Sequence, residues 1–283
     1  MENTNRGTVN VGDGKLYYEM AGRGNPLVLC RAGFVDSGMW DDQWEDFGRF
    51  FQVIRFDMRD YGRSDPVQGP VSRRKDLERL LDQLGIQRAV LLGCSMGGAM
   101  ALDFALEHPE KADGLVMVSA APNGFELRGS PPPNLLAMMS AVERGNLEQV
   151  SELQLRIWID GPFRQPEQVD PQVRRRAAEM NRIPVEHGTW GKVDAHPLDP
   201  LDPPAVRRLD QIRIPTLIVA GALDHPEVLR AADLMEKEIR GAKKVIIAGT
   251  AHMPNMEKPA EFNQAVLSFL NSAQFPTQSG TGH

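Results

Sequence analysis

Six short apolar runs alternate with longer helical patterns, and this alternation constrains the fold more than any other feature of the sequence. The runs are residues 26–30, 53–56, 89–92, 115–118, 216–220 and 244–248. They lack polar alternation, which is typical of strands buried on both faces of a parallel sheet. Helical patterns lie between them, for example at residues 72–84 and 260–270. The sequence therefore predicts an α/β fold with a mostly parallel sheet.

The two ends of the chain depart from this rhythm. Residues 8–12 and 15–21 predict a β-hairpin, because Asp13-Gly14 between them is a strong signal for a tight turn. The last twelve residues, 272–283, are small and polar, and we expect them to be disordered.

Residues 122–213 form a third departure, because they contain 12 of the 21 prolines and no strand-like run. Helical patterns occur there at residues 134–144, 147–159 and 171–182. We interpret this segment as a helical insertion between two strands, which leaves residues 1–121 and 214–271 as the α/β core. The alternative is a series of ordinary surface helices joined by long loops.

Charge and cysteine content narrow the classes of function. The 32 basic and 38 acidic residues give a net charge of −6, which does not predict binding to nucleic acid or to an anionic membrane. No apolar run approaches the roughly 18 residues that span a bilayer, and the N-terminus lacks the pattern of a secretory signal. Cys30 and Cys94 cannot form a disulfide framework, so we expect a cytoplasmic protein.

The strongest chemical motif is the Gly-x-Ser-x-Gly pattern at residues 93–97, in which Ser95 is central. It follows a buried-strand run and precedes a helical pattern, as this motif requires. The sharp turn leaves no room for side chains two positions to either side of the serine, so glycine is needed there. The start of a helix also offers free N–H groups to developing negative charge. We therefore predict that Ser95 is a nucleophile.

A serine nucleophile needs a base, and the base needs a carboxylate that orients it. The candidate bases are His108, His187, His196, His225, His252 and His283. His252 stands out because it follows a strand run and a short loop of small residues. Asp224 follows the preceding strand run in the same way. Open α/β sheets place their active sites at these strand ends, so we predict Asp224 and His252 as the acid and the base.

With these motifs in order, the chain resembles the α/β-hydrolase-fold serine hydrolases. The resemblance covers nearly all of residues 10–270 and rests on GCSMG, GALDHP and GTAHMPNMEKPAEF. It implies an eight-stranded, mostly parallel sheet with helices on both faces and a helical cap after the sixth strand, at residues 122–213. It also implies an oxyanion hole formed by the backbone N–H groups of Met96 and Phe34.

The chain departs from the family pattern at two positions. Arg31 stands where the loop after the third strand usually has His, and Asp60 stands where the loop after the fourth strand usually has Gly. Because these loops leave neighbouring strands, we predict an ion pair between Arg31 and Asp60, or failing that Asp57, that braces the oxyanion loop. The alternative is that Arg31 points to solvent.

The resemblance implies hydrolysis of carboxylic esters through an acyl-enzyme, without a cofactor or metal. A lactonase is the alternative, followed by a carbon–carbon bond hydrolase, a perhydrolase and a non-catalytic receptor. Apolar residues of the insertion predict an apolar acyl pocket for a small-molecule ester or lactone, or alternatively packing of the insertion onto the core. The pocket candidates are Met138, Met139, Trp158 and Trp190. The sequence does not indicate the oligomeric state.

Overall fold

A single eight-stranded sheet forms the centre of the protein, as seen in a computed structural model that describes residues 4–67, 69–194, 198–273 and 275. The strands are β1 (Asn5–Asn10), β2 (Lys15–Ala21), β3 (Pro26–Cys30), β4 (Gln52–Phe56), β5 (Ala89–Cys94), β6 (Ala112–Val118), β7 (Thr216–Gly221) and β8 (Lys243–Ile247). Their order is β1-β2-β4-β3-β5-β6-β7-β8. All pairs from β4 to β8 are parallel. The predicted eight-stranded, mostly parallel sheet is confirmed.

The antiparallel part of the sheet lies at its N-terminal edge. β1 pairs with β2 from Asn5 to Asn10, and β2 pairs with β4. The hairpin was expected at this place, but β1 begins three residues earlier than the apolar pattern suggested. At this edge the cross-strand ladder extends β1 through exposed polar residues, which a hydropathy pattern does not mark.

Helices cover both faces of the sheet, as predicted. They are α1 (Asp41–Gly48), α2 (Arg73–Gln83), α3 (Met96–Glu107), α4 (Leu135–Glu143), α5 (Leu147–Leu155), α6 (Pro171–His187), α7 (Pro226–Glu238), α8 (Pro254–Glu257) and α9 (Pro259–Ser272). Residues of α2, α3 and α7 pack on one face, and residues of α1 and α9 pack on the other. Successive residues of β3 alternate between these two clusters, which explains why its sequence is continuously apolar.

The chain between β6 and β7 contains α4, α5 and α6. No strand occurs in the described part of this insertion. α6 continues five residues past the predicted end at 182, through Pro184, and ends at Gly188 in the left-handed conformation (φ 67°). That glycine, rather than the proline, is the helix stop. The insertion also contains two π-helical turns, at Arg156–Asp160 and Trp190–Asp194, and three short 3-10 turns.

The C-terminal tail was predicted to be disordered from residue 272. α9 runs through Ser272, and Phe275 packs against the core beside Gly114. Residues 274 and 276–283 of the tail lie outside the described part of the chain. Within the described residues, every helix is too short or too polar to cross a membrane.

Candidate active site

Ser95 occupies the single residue between β5 and α3. Its φ of 51° is strained for a residue with a side chain. A Cβ atom on Gly93 would lie 2.3 Å from the Gly97 carbonyl oxygen, and one on Gly97 would lie 2.3 Å from the Arg31 carbonyl oxygen. Both glycines are therefore required by the packing of the turn, in agreement with the steric argument from the sequence.

His252 and Asp224 lie together in loops that follow neighbouring strands. Asp224 follows β7 and His252 follows β8, and both side chains are buried. His252 Nδ1 is 2.9 Å from Asp224 Oδ2 and 3.1 Å from Oδ1. A carboxylate only accepts hydrogen bonds, so this contact assigns the proton to Nδ1 and leaves Nε2 as an acceptor. Nε2 is buried and has no hydrogen-bond partner among the described residues.

No hydrogen bond joins Ser95 Oγ to His252 within the described residues. Such bonds are often long in ligand-free structures and tighten when substrate binds. The imidazole packs instead against the indole of Trp158, with ring centroids 4.9 Å apart. Trp158 also stacks on Phe34, at 6.4 Å between centroids. One tryptophan of the insertion thus contacts both the His252 ring and the loop after β3.

The loop after β3 passes directly beside the start of α3. A Cβ atom on Gly33 would lie 3.5 Å from the Met96 Cβ. The Met96 N–H is at the first position of α3, where no acceptor exists within the helix. Asn181 Nδ2 donates to the Phe34 carbonyl oxygen at 3.0 Å, and the Tyr61 hydroxyl lies 2.5 Å from the Gly33 carbonyl oxygen. The side chains of Asn181 and Tyr61 therefore contact the carbonyl groups of Phe34 and Gly33.

The predicted ion pair of Arg31 is wrong. Arg31 is fully buried, its guanidinium lies 3.1 Å from the centroid of the Tyr61 ring, and Nη1 donates to the Ala32 carbonyl oxygen. No carboxylate of the described residues comes within ion-pair distance of it. Burial lowers the pKa of Arg31. The face of an aromatic ring attracts a guanidinium charge, so the Tyr61 ring can take the place of a carboxylate as the partner of Arg31.

Asp60 is bound to the insertion rather than to Arg31. Its Oδ1 lies 3.0 Å from His187 Nδ1, and its Oδ2 accepts a hydrogen bond of 3.1 Å from Thr189. Asp57 accepts instead from the backbone N–H groups of Ser37 and Arg63. Both carboxylates are therefore bound to groups other than Arg31.

A cavity of about 350 Å³ opens above Ser95. It is lined by Gly33, Phe34, Ser95, Met96, Ala99, Ala121, Trp158, Trp190 and Asp194. Trp158 and Trp190 come from the insertion, each from one of its π-helical turns. Met138 and Met139 do not line this cavity. Met138 is buried within the insertion's own apolar cluster, and Met139 is 43% exposed.

Three lining residues were not singled out in the sequence. Ala99 lies one helical turn after Ser95 and Ala121 lies three residues after the end of β6, so their positions relative to the motifs could have indicated them. No sequence signal marks Asp194. The Tyr61 hydroxyl lies 2.5 Å from its Oδ2, and Arg73 pairs with its Oδ1 at 2.8 Å.

The side chains of the other described histidines and of the two cysteines make no hydrogen bond to the side chains of Ser95, Asp224 or His252. His225 caps α7, and His108 lies among glutamates at the end of α3; His196 and His283 lie outside the described residues. Burial raises the pKa of the Cys94 thiol, as does the charge of Asp224, and burial raises that of Cys30 to about 12. Both thiols are therefore protonated and unreactive. The described residues contain no cluster of three or more side chains suited to hold a metal ion.

The sequence and the fold of this chain are similar to those of known hydrolytic enzymes. A family model described as alpha/beta hydrolase fold matches residues 25–259. The chain is 26% identical to a 2-hydroxy-6-oxo-6-phenylhexa-2,4-dienoate hydrolase of Comamonas testosteroni, over 92% of this chain and 93% of the relative. It is 27% identical to a pimeloyl-[acyl-carrier protein] methyl ester esterase of Yersinia enterocolitica, over 92% and 98%. A solved N-acyl homoserine lactone degrading enzyme is 25% identical, with a TM-score of 0.75 over 93% of this chain and all of that one.

Proposed function

Because the chain belongs to the alpha/beta hydrolase fold family, we propose that it is a serine hydrolase that cleaves carboxylic esters with apolar acyl groups. The observation that carries this proposal is the buried Asp224–His252 pair with its unpartnered Nε2. A buried acceptor without a partner is costly, and active sites retain such groups for the reaction. The pair lies at the same sheet edge as the strained Ser95.

In the proposed reaction, Ser95 Oγ attacks the ester carbonyl carbon while its proton passes to His252 Nε2. Asp224 holds the imidazole in the required tautomer and stabilises the imidazolium that forms. The alcohol then leaves with that proton, and a water molecule, activated by the same histidine, releases the acid from the acyl-enzyme. The N–H groups of Met96 and Phe34 donate to the oxyanion in both steps.

We propose that residues 122–213 act as a cap over this site. Trp158 and Trp190 supply aromatic walls to the cavity above Ser95. Trp158 also excludes water from the face of His252 against which it packs, which strengthens the electrostatic contacts of the imidazole. An acyl group that fits these walls is apolar.

The charge of the cavity separates the candidate reactions. Asp194 is the single charged residue among its described lining residues, and it is acidic. Arg73 pairs with this carboxylate, and no Lys or Arg lies among the described lining residues to bind an anionic substrate, such as the dienoate named for one relative. A neutral ester needs no such partner. A lactone is a cyclic ester that the same groups could open, and the similarity to a lactone-degrading enzyme supports it as the second candidate.

Labelling by a fluorophosphonate tests the proposal together with hydrolysis of p-nitrophenyl butanoate. The wild type should be labelled once per chain, and Ser95→Ala should lose labelling and about 10⁴-fold or more of its activity. Ser119→Ala is the matched control, because Ser119 also follows a strand with a positive φ (45°) but does not line the cavity. Full activity in Ser95→Ala, or equal loss in both variants, would contradict the assignment.

A further inference from the structure

Trp190 is shared by two cavities. One is the cavity of about 350 Å³ above Ser95, and the other has a volume of about 170 Å³ and lies within the insertion. Trp190 is the only residue that lines both among those described. Trp190 therefore borders both the proposed acyl site and a second space.

The second cavity is suited to hydrocarbon. Its apolar wall is supplied by Val142, Leu147, Val150, Pro184 and Val185, together with Trp190, while Gln154, Glu186 and Lys192 also line it. Val150 and Val185 belong to the insertion's buried apolar cluster, against which Trp190 also packs. An alkyl chain that entered this space would leave water for a largely apolar surface, which is favourable.

Trp190 lies in a segment that contains two glycines. Gly188 and Gly191 lie on either side of Trp190, and a Cβ atom on Gly191 would meet nothing within 4 Å. Trp190 also begins a π-helical turn, a conformation that is frequent at functional sites. Among the described residues, no hydrogen bond from the indole N–H holds the ring in place.

We propose that Trp190 determines the length of the acyl group that the enzyme accepts. The indole closes the acyl site at its far end and limits it to shorter chains. Without the indole the two cavities join, and the distal methylenes of a longer acyl chain occupy the second cavity. This inference rests on the proposed function and deepens it. It assigns the unbranched acyl chain of the ester to the path that leads from Ser95 past Trp190 toward the second cavity.

Hydrolysis of p-nitrophenyl esters from butanoate to decanoate tests the proposal. In Trp190→Ala the ratio of kcat/KM for decanoate to that for butanoate should rise at least about tenfold over the wild type. Each additional buried methylene contributes about fourfold, the equivalent of about 0.8 kcal/mol. Trp190→Phe, which keeps an aromatic ring of smaller size, should give an intermediate ratio and also serves if Trp190→Ala does not fold.

A second substitution that fills the second cavity identifies where the longer chain goes. Val142 lines that cavity and is 43% exposed, so Val142→Trp can fill it from the rim without disturbing the buried cluster. Added to Trp190→Ala, it should return the ratio toward the wild-type value. The matched control is Leu136→Ala, also on α4 but 73% exposed and lining neither cavity, which should leave the ratio unchanged.

An unchanged ratio in folded Trp190→Ala would overturn the inference, as would a raised ratio that Val142→Trp does not reverse. Binding separates this failure from failure of the proposed function. In a Ser95→Ala background, which does not hydrolyse the ester, calorimetry measures the binding of the p-nitrophenyl esters. Trp190→Ala should strengthen the binding of p-nitrophenyl decanoate relative to that of p-nitrophenyl butanoate. That result with no ester hydrolysis in the wild type would refute the proposed function and keep the inference. Normal hydrolysis by the wild type, with relative affinities that Trp190→Ala leaves unchanged, would refute the inference and keep the proposed function.

Discussion

The Asp60 carboxylate contacts the His187 ring across the boundary between the core and the insertion, with 3.0 Å between Oδ1 and Nδ1. Asp60 also accepts from the buried Thr189 hydroxyl and from the Val67 N–H. Its φ of 73° lies in the left-handed region, which favours glycine. An aspartate at this position, where the family usually has glycine, therefore strains the backbone. Its side chain contacts His187 and Thr189, which come directly before Trp190, and these contacts stabilise that segment.

Asp60→Gly should therefore destabilise the protein although it removes the strained side chain. It leaves Thr189 without its partner, at about 1–3 kcal/mol for a buried polar group, offset by about 1 kcal/mol of relieved strain. Hydrogen exchange at residues 188–194 should accelerate, and KM for an ester should rise more than kcat falls. Asp60→Asn, which keeps an acceptor and tolerates this conformation, should lie closer to the wild type.

Asp199→Gly is the matched control for this experiment, measured by chemical unfolding. Asp199 also has a positive φ (56°), but its side chain is 47% exposed and pairs with the exposed Lys75. An exposed pair contributes about 0–1 kcal/mol. A loss in Asp199→Gly as large as that in Asp60→Gly would show that the effect comes from the backbone rather than from the contacts with the insertion.

A buried ion pair also connects the insertion to the loop that carries His252. Arg164 Nη1 lies 2.6 Å from Glu257 Oε2, and Glu257 Oε1 accepts from the N–H of Ala251, the residue before His252. Burial raises the pKa of Glu257, although Arg164 opposes this. Glu257 is therefore a positioning residue, because it acts on the base through the backbone of the preceding residue.

Removal of one partner of this pair should cost more than removal of both charges. Arg164→Met leaves the Glu257 carboxylate buried without a counter-charge, which costs about 3–5 kcal/mol. The loss should be larger at pH 8 than at pH 5, since the folded state of the variant binds the proton of Glu257 more readily than the unfolded state. Adding Glu257→Gln should recover part of the stability in thermal unfolding, and failure to recover any would contradict the assigned ion pair.

The fold could be predicted because the information for it is local. Continuous apolar runs mark buried strands, and the turn at Ser95 requires glycines on both sides for steric reasons that any such turn shares. The same reasoning located Asp224 and His252 at adjacent strand ends, where the structure joins them by a hydrogen bond.

The partners of Arg31 and Asp60 could not be predicted, because they depend on how the insertion packs. Asp60 is 127 residues from His187 in sequence. Opposite charge and loops that follow neighbouring strands suggested Arg31 as the partner instead. Met138 and Trp158 posed a related problem. Both are apolar residues on helical patterns, and only the packed position of each turn determines whether it faces the insertion's own cluster or the cavity.

If Asp224 orients His252 rather than transferring a proton, Asp224→Asn should be less damaging than His252→Ala. We expect losses in kcat/KM of about 10⁴-fold and about 10⁶-fold, respectively, on an ester substrate. His225→Ala is the control, because His225 adjoins Asp224 but caps α7 and should change stability by about 0.5–2 kcal/mol without this loss of activity. Equal rates in Asp224→Asn and the wild type would remove Asp224 from the proposed mechanism.

Asp36 lies just beyond the loop of Gly33 and Phe34, and we expect it to make the free energy of unfolding depend on pH. Burial raises the pKa of its carboxyl from 3.8 to about 6, and the charge of Asp57 adds to the increase. Between about pH 4 and 6 the folded state binds the proton while the unfolded state has lost it. The contribution of Asp36 to the free energy of unfolding therefore falls as the pH rises through this window.

Asp36→Asn should stabilise the protein at pH 8 and change it little at pH 4. The difference between 3.8 and about 6 corresponds to roughly 3 kcal/mol, which is the upper limit of the gain. An asparagine oxygen can still accept the Gly38 N–H, which the Asp36 carboxylate accepts at 2.8 Å, so the turn before α1 keeps its cap. Urea unfolding of both proteins at the two pH values measures the effect. Asp36→Ala also loses the cap, so its stability should increase less at pH 8. If Asp36→Asn is no more stable than the wild type at pH 8, ionised Asp36 does not destabilise the folded state.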